Sequence, residues 1–443
     1  MLKHIETRCF NIPTTHLYDL IVGTSIGGQI ALALTAASPS TPISVGAATR
    51  KFKQMMRSSF IPKRAIFSSI NMVLNKTKYQ AMAVERQLKD FFSESAKLND
   101  TGSSQSRSPP NVAVTTVFQE GLIPHIIANY NRSTTEKSAP LLLPSNAGES
   151  MTIWAAARCT SAVLPYFKAF QWEGQTLLDG GFHWNCPVVV ASEEAELIWP
   201  NKRRDLLLSL GTGMSSDAEA PTTNNILQVF KHVVEVVTSA EKLWKKFADS
   251  QVGDHLGQQG LFRLNPSWGD AEFVLDDYKR LDELERTTTG WLATIEPEVT
   301  PICDWLMAAL FFFVSAPPIQ NGALTGYIIC RLPADESYRQ SLVEGMLQER
   351  DSNLFAVEFV NKNRDLVFIN VERDLRDLRK GGELRIPVIL KELPYIGKIE
   401  VQITMHGITG STKVSSELWY PISGSPYVLR EERLGAEQSR WFS

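Results

Sequence analysis

The stretch "LYDLIVGTSIGGQIALAL", residues 17–34, decides how the chain is read. An apolar run over residues 17–22 ends at Gly23, and Ser25 then sits between Gly23 and Gly27. A short apolar run bounded by glycine reads as a buried strand, and the small and aliphatic residues over 26–37 read as a helix. A strand that turns sharply into a helix lifts the side chain at the turn clear of the sheet. Glycine is expected on both sides of Ser25, because side chains there would collide with neighbouring strands. The helix start also offers free N–H groups and the positive end of its dipole.

Working outward, "SPSTP" at 38–42 stops that helix. Residues 81–92 are amphipathic, with Val84, Leu88, Phe91 and Phe92 near one face. Residues 93–110 are polar and rich in Gly, Ser and Pro, which reads as a loop. "NVAVTTVF", 111–118, is a strand rich in β-branched residues. "TIWAAARCTSAVLPYF", 152–167, starts as a helix and ends at Pro165. "QTLLDGGF", 175–182, is a strand running into a turn at Asp179, and "DLLLSLGTG", 205–213, is a buried strand before a glycine turn. Residues 225–249 and 276–292 read as helices, the first with Ile226, Val229, Phe230, Val233 and Val237 on one face. Strands alternating with helices predict an α/β fold, a mainly parallel sheet covered by helices.

The texture changes after residue 301. "KIEVQITMHG" alternates Ile399, Val401, Ile403 and Met405 with polar partners, and "ALTGYIICRL", "LFAVEFV", "LVFINV" and "ELRIPVIL" are further short strands. This predicts a β-rich, sandwich-like domain over 301–443 that carries no motif. The first domain is expected over 1–300, with a core at 1–213 and a helical continuation at 225–292. The apolar run "WLMAALFFFVSA", 305–316, is shorter than the roughly 20 residues a spanning helix needs. It reads as a buried helix or strand.

The 443 residues are 43% hydrophobic and carry a net charge of −3, with both signs mixed along the chain. That balance argues against a general nucleic-acid binder. The five cysteines form no CxxC pair and read as free thiols of a reducing compartment. The N-terminus has no apolar core of a secretory signal, so a cytoplasmic protein is expected. The seven histidines show no metal-ligand spacing.

A serine hydroxyl becomes a nucleophile when a base takes its proton. One arrangement is a triad, for which His183, His232, His255 and His406 follow plausible acids, though none stands at a clear strand-end loop. The other is a dyad with a carboxylate as base. Asp179 ends an apolar strand, and Gly180 and Gly181 allow a tight turn beside it. A carboxylate in a partly dry cleft has its pKa raised, which suits a base near neutral pH. The plainer alternative is that Asp179 only shapes an Asp-Gly turn.

The pair "GTSIGG" and "LLDGGFHWNCPV" resembles the patatin-like phospholipases, lipid acyl hydrolases with a Ser–Asp dyad. "AARCTSAVLPYF" and "LLLSLGTG" are similar to two further segments of that family, so the likeness covers about residues 1–213 and continues into the helices up to 292. It implies a three-layer α/β sandwich, with Ser25 as nucleophile and Asp179 as base. Gly23, Gly27, Gly28, Gly180 and Gly181 would be the motif glycines, and Asn185 and Pro187 fit the family's NxP turn around Cys186. The implied reaction is hydrolysis of a fatty-acyl ester of a glycerophospholipid or neutral lipid, through an acyl-enzyme, without metal or cofactor. The resemblance also implies a glycine-rich oxyanion loop of the type DGGGxRG before the first strand. "MLKHIETR" looks like the helix that follows such a loop, and "RKGGELR" at 379–385 is too far away to replace it. A relative without those donors would be a lipid-binding or scaffolding protein instead.

Lipid substrates require docking to a membrane or lipid-droplet surface. "TRKFKQMMRSSFIPKR", 49–64, carries Lys51, Lys53 and Arg57 among apolar residues and no acid, a mix suited to an anionic interface. The alternative is a solvated basic face whose apolar residues belong to the core. No residue pattern identifies a protein partner.

Overall fold

The computed structural model describes residues 1–35, 44–59, 79, 81–98, 110–130, 132, 141–142, 151–164, 166–200, 202–213, 240–250, 260–268, 277–315, 324–333, 337–348, 353–359, 367–372, 374–375, 384–390, 399–409 and 419–429. Helices α1 (Leu2–Arg8) and α2 (Thr14–Leu17) lead into strand β1 (Leu20–Gly23) and helices α3 (Ile26–Thr35), α4 (Val45–Ser59) and α5 (Ala81–Phe92). Strands β2 (Asn111–Phe118), β3 (Ile123–Ala128) and β4 (Leu141–Leu142) precede α6 (Ile153–Thr160). The pair β5 (Phe170–Trp172) and β6 (Gln175–Asp179) precedes α7 (Val188–Ile198), β7 (Leu207–Leu210) and β8 (Leu261–Leu264).

The β-branched run of β2 becomes the axis of the first sheet. Along one edge of β2 lie two strands end to end. Parallel β1 pairs Gly23 with Val114, and antiparallel β6 pairs Asp179 with Thr116. Along the other edge runs antiparallel β3, which pairs in turn with parallel β4. Side chains alternate across the sheet. Val112, Val114, Ile127 and Leu177 pack with α3 to α6 on one face, while Ala113 and Ile126 meet Val190 of α7 on the other.

Helices thus cover both faces, but the described sheet is mixed where a mainly parallel one was expected. The reason is the length of the connections. β2 and β3 are joined by a tight turn with Gly121 and Leu122 at φ 75° and 50°. Glu173 and Gly174, at φ 46° and 79°, join β5 to β6. Connections this short close antiparallel hairpins, whereas parallel neighbours need a crossover. The strand expected over 17–22 begins later, at Leu20, because the chain first makes the short helix α2 after Pro13. The expected loop over 93–110 and helix over 225–249 fall largely outside the described residues, although 240–250 are helical.

Helices α8 (Leu281–Thr294) and α9 (Glu296–Ala308) lead into the second half. There follow β9 (Phe311–Ser315), β10 (Leu324–Cys330), α10 (Ser337–Gln348), β11 (Asn353–Phe359), β12 (Val367–Asn370), β13 (Arg385–Leu390), β14 (Ile399–His406), β15 (Trp419–Pro421) and β16 (Tyr427–Leu429). The apolar run at 305–316 divides into the end of α9 and the strand β9, and both are largely buried. The strands form two antiparallel sheets, β13-β10-β9 and β12-β11-β14-β15, with β16 also on β14. Phe311 and Phe355 bring the two sheets into edge-to-face contact at 5.2 Å between ring centres. Val401, Ile403 and Met405 are buried, as the alternation predicts.

This half differs from a free-standing sandwich. A single apolar cluster joins Ile5, Cys9, Ile12 and Leu17 to α9, α10 and the C-terminal strands. Residue 300, the expected boundary, falls inside α9. Buried Asp304 of that helix fixes the packing. Its Oδ1 accepts hydrogen bonds from the N–H groups of Ile408 (2.9 Å) and Thr409 (2.8 Å) and from the Thr409 hydroxyl (2.8 Å). Arg8 of α1 donates to the Thr409 carbonyl at 2.5 Å. Among the described residues no helix is long and apolar enough to cross a membrane. Asp304→Ala leaves three buried donors without their acceptor and is expected to cost about 3 kcal/mol. A urea titration would read this as a lower midpoint.

Candidate active site

Ser25 stands between β1 and α3 with φ at 56°, a left-handed conformation that a non-glycine residue adopts at a cost of about 1–3 kcal/mol. Its N–H donates to the Thr160 hydroxyl at 2.9 Å, and its carbonyl accepts from Gln29 N–H at 3.1 Å, opening the α3 ladder. A Cβ at Gly23 would lie 2.4 Å from the Gly27 carbonyl oxygen, and one at Gly28 would lie 2.9 Å from the Thr160 side chain. The glycines are therefore required by the helix's own first turn and by α6, where neighbouring strands were expected to be the obstacle. A Cβ at Gly27 would meet none of the described atoms within 4 Å.

Asp179 ends β6 and is 3% exposed. Its N–H donates to the Ala162 carbonyl at 3.1 Å, and its Oδ1 accepts from Gly181 N–H at 2.7 Å. A Cβ at Gly180 would lie 2.0 Å from the Thr115 hydroxyl oxygen, so only glycine fits where the chain turns against β2. Oδ2 is buried and makes no regular hydrogen bond, and the Ser25 hydroxyl is the side-chain donor that pulls the carboxylate's pKa down. Burial pushes the Asp179 pKa up to about 6, against the opposing pull of the Ser25 hydroxyl, the Gly181 N–H and the Arg158 guanidinium. The structure therefore brings Ser25 and Asp179 together.

Five residues that the sequence reading did not assign build the surroundings. The Thr24 hydroxyl bonds the Thr115 hydroxyl and the Trp184 carbonyl, each at 2.7 Å, tying the Ser25 turn to β2 and to the segment after Asp179. Arg158 and Thr160, both fully buried, project from α6. Arg158 donates to the Lys168 carbonyl at 2.6 Å, approaches Glu85 at 3.4 Å and lies over the rings of Phe167 and Phe170. Its sequence signal was an arginine amid alanines in "WAAARCT", a charge on a helix otherwise patterned for the core.

The histidine alternatives fare differently. His183 is exposed, with its ring edge-on to Trp184 at 4.9 Å. His406 packs against Trp419 in the second half of the chain. His232 and His255 lie outside the described residues. Cys186 is buried beside Ser209 and Arg263. Among the described residues, no three His, Cys, Asp or Glu side chains converge to hold a metal ion.

The residues of the basic patch make local contacts in the fold. Phe52 and Met55 of α4 are buried in the core. Lys53 pairs with Asp282 at 2.8 Å and with Glu285, and Arg57 pairs with Asp282 at 2.7 Å, all on α8. Lys51 lies over the Phe91 ring at 5.4 Å. Residues 60–64 fall outside the described residues.

With this geometry in view, comparison with known proteins gives a consistent answer. The family model described as patatin-like phospholipase matches residues 7–192, a span holding both Ser25 and Asp179. Residues 7–192 form a patatin-like phospholipase domain. The chain is similar to human calcium-independent phospholipase A2-gamma, 25% identical over 294 residues, which is 64% of this chain and 34% of that protein. It is similarly related to Arabidopsis thaliana phospholipase A I, 25% identical over 312 residues, 60% of this chain and 23% of that protein. The rat 85/88 kDa calcium-independent phospholipase A2 is 25% identical over 311 residues, 61% of this chain and 34% of that protein. The matches thus span about a third or less of these relatives.

Buried Asp179 contributes to the pH dependence of stability. A carboxyl whose folded pKa is raised favours the folded state while protonated, so its contribution is full below pH 4 and is lost as pH rises through about 6. Asp179→Asn is therefore expected to gain roughly 3 kcal/mol relative to the native chain between pH 4 and 7, measured by urea unfolding at both pH values. Charge reversal at Lys53 and Arg57 is expected to lower the melting temperature while leaving sedimentation with anionic vesicles unchanged, because α8 carboxylates already occupy those cations.

Proposed function

We propose that this chain is a lipid acyl hydrolase of the phospholipase or lipase type, working through Ser25 and Asp179. The observation that carries the reading is the meeting of a left-handed serine at a strand–helix turn with a buried carboxylate at the end of β6, which shares an edge of β2 with β1. Asp179, once ionised, takes the Ser25 proton, and Ser25 Oγ attacks the acyl carbonyl of a glycerophospholipid or neutral lipid. The N–H groups of Ile26 and Gly27 open α3 and have no acceptor within the helix, so they are the donors available to the developing oxyanion. The alcohol or lysolipid leaves with the proton that Asp179 carried. Water, activated by the same carboxylate, then releases the fatty acid and regenerates Ser25.

A Cβ at Gly27 would meet none of the described atoms within 4 Å, which leaves room for an acyl carbonyl beside that N–H. The relatives' names as phospholipases support a lipid substrate. We place the reaction at a membrane or lipid-droplet surface reached from the cytoplasm, with the antiparallel half beyond residue 301 as an accessory unit. The base and oxyanion donors are all protein groups, so the scheme calls on no metal.

A fluorophosphonate probe tests the reading directly. The native chain is expected to form an adduct on Ser25, identified by peptide mass, and Ser25→Ala to form none. Asp179→Asn is expected to lower the labelling rate by roughly a thousandfold or more. The base must be ionised, so hydrolysis of a fatty-acyl ester should rise with pH through about 6 and level off above it. A folded chain that takes no probe at Ser25 would sink the proposal.

A further inference from the structure

Resting on that reading, we propose that Thr160 is a positioning residue for the nucleophile, its hydroxyl holding the Ser25 backbone in the left-handed conformation. Ser25 precedes the first turn of α3, so its N–H has no acceptor within that helix. The Thr160 hydroxyl supplies one at 2.9 Å. Thr160 is fully buried, and Gly28 crowds its side chain from the α3 side, where an added Cβ would come within 2.9 Å of both Oγ1 and Cγ2. The acceptor is held in place by packing as well as by the hydrogen bond.

The next two residues grip the same site. The Ser161 hydroxyl accepts a hydrogen bond from the Gln29 side chain at 2.9 Å, four residues along α3 from Ser25. The Ala162 carbonyl accepts the Asp179 N–H at 3.1 Å. Residues 160–162 therefore hold the start of α3 and the end of β6 at once. Ser25 and Asp179 lie 154 positions apart in the chain, as their numbers give, and this segment sets their separation. Misplacing reacting groups by about 1 Å can slow a reaction on the order of a hundredfold. Loss of the Thr160 acceptor should therefore act on the reaction step more than on binding.

The test uses the full chain with Thr160→Val, which keeps the shape and removes the acceptor, and Thr160→Ser, which keeps the acceptor. Hydrogen exchange at the Ser25 amide is the readout that does not depend on activity. Thr160→Val is expected to speed that exchange about tenfold. It should slow fluorophosphonate labelling by roughly ten- to a hundredfold at an unchanged half-saturating probe concentration. Thr160→Ser should match the native chain within about twofold in both. Unchanged Ser25 exchange in Thr160→Val would overturn the proposal. So would a Thr160→Ser chain that exchanges as fast as Thr160→Val, because the methyl group would then be what matters. Should Thr160→Val not fold, Thr160→Ser decides alone, since lost protection there contradicts the proposal and retained protection at Ser25 upholds it. If the native chain takes no probe, the hydrolase reading falls, and amide exchange still decides the Thr160 contact.

Discussion

Everything at this site depends on the register of β2. One edge of that strand receives β1 from one direction and β6 from the other, so Gly23 lies opposite Val114 and Asp179 opposite Thr116. Two residues of strand are about 7 Å. That distance is short enough for a serine just past Gly23 to meet a carboxylate at the end of β6. Moving the β6 register by one residue would turn the Asp179 side chain to the opposite face of the sheet. The Thr24–Thr115–Trp184 hydrogen bonds lock the arrangement across all three segments.

The site carries two local costs that the surrounding packing sustains. One is the left-handed backbone at Ser25, and the other is a carboxylate that is almost wholly buried. Both are answered from α6. Thr160 meets the strained N–H, and Arg158 supplies the buried positive charge that draws the Asp179 pKa back down. Arg158 is itself a buried cation, supported by Glu85, by the Lys168 carbonyl and by two aromatic faces. A carboxylate left unsupported at this depth would stay protonated at neutral pH and could not act as a base.

The second half of the chain is bound to the first by shared burial. Helix α1 and the residues before β1 enter the cluster formed by α9, α10 and the C-terminal strands. Asp304 and Arg8 converge on the backbone just after β14, Asp304 accepting from the N–H groups of Ile408 and Thr409 and Arg8 donating to the Thr409 carbonyl. The segment that delivers β1, and with it Ser25, is thus anchored in the antiparallel half. A boundary drawn at the change of texture near residue 301 is a statement about strand pattern, whereas the core is continuous across it.

The sequence alone determined the local elements of the site. "LIVGTSIGG" encodes a strand, a turn and a helix start because glycine, apolar run and small-residue periodicity act over neighbouring positions. "LLDGG" encodes a strand end and a tight turn by the same local chemistry. The alternation likewise announced that Val401, Ile403 and Met405 of β14 are buried. Strand direction was not legible, since it depends on which strands meet, and the hairpins at 119–122 and 173–174 made the sheet mixed. The uses of Lys53, Arg57 and Thr160 were not legible either. Lys53 and Arg57 find carboxylates more than 220 residues away, and Thr160 finds an N–H 135 residues away. A hydroxyl or an ammonium carries no mark in the sequence of the partner it will meet. Only the folded chain, by bringing distant segments to hydrogen-bond distance, decides which polar groups are spent on structure and which stay open to solvent.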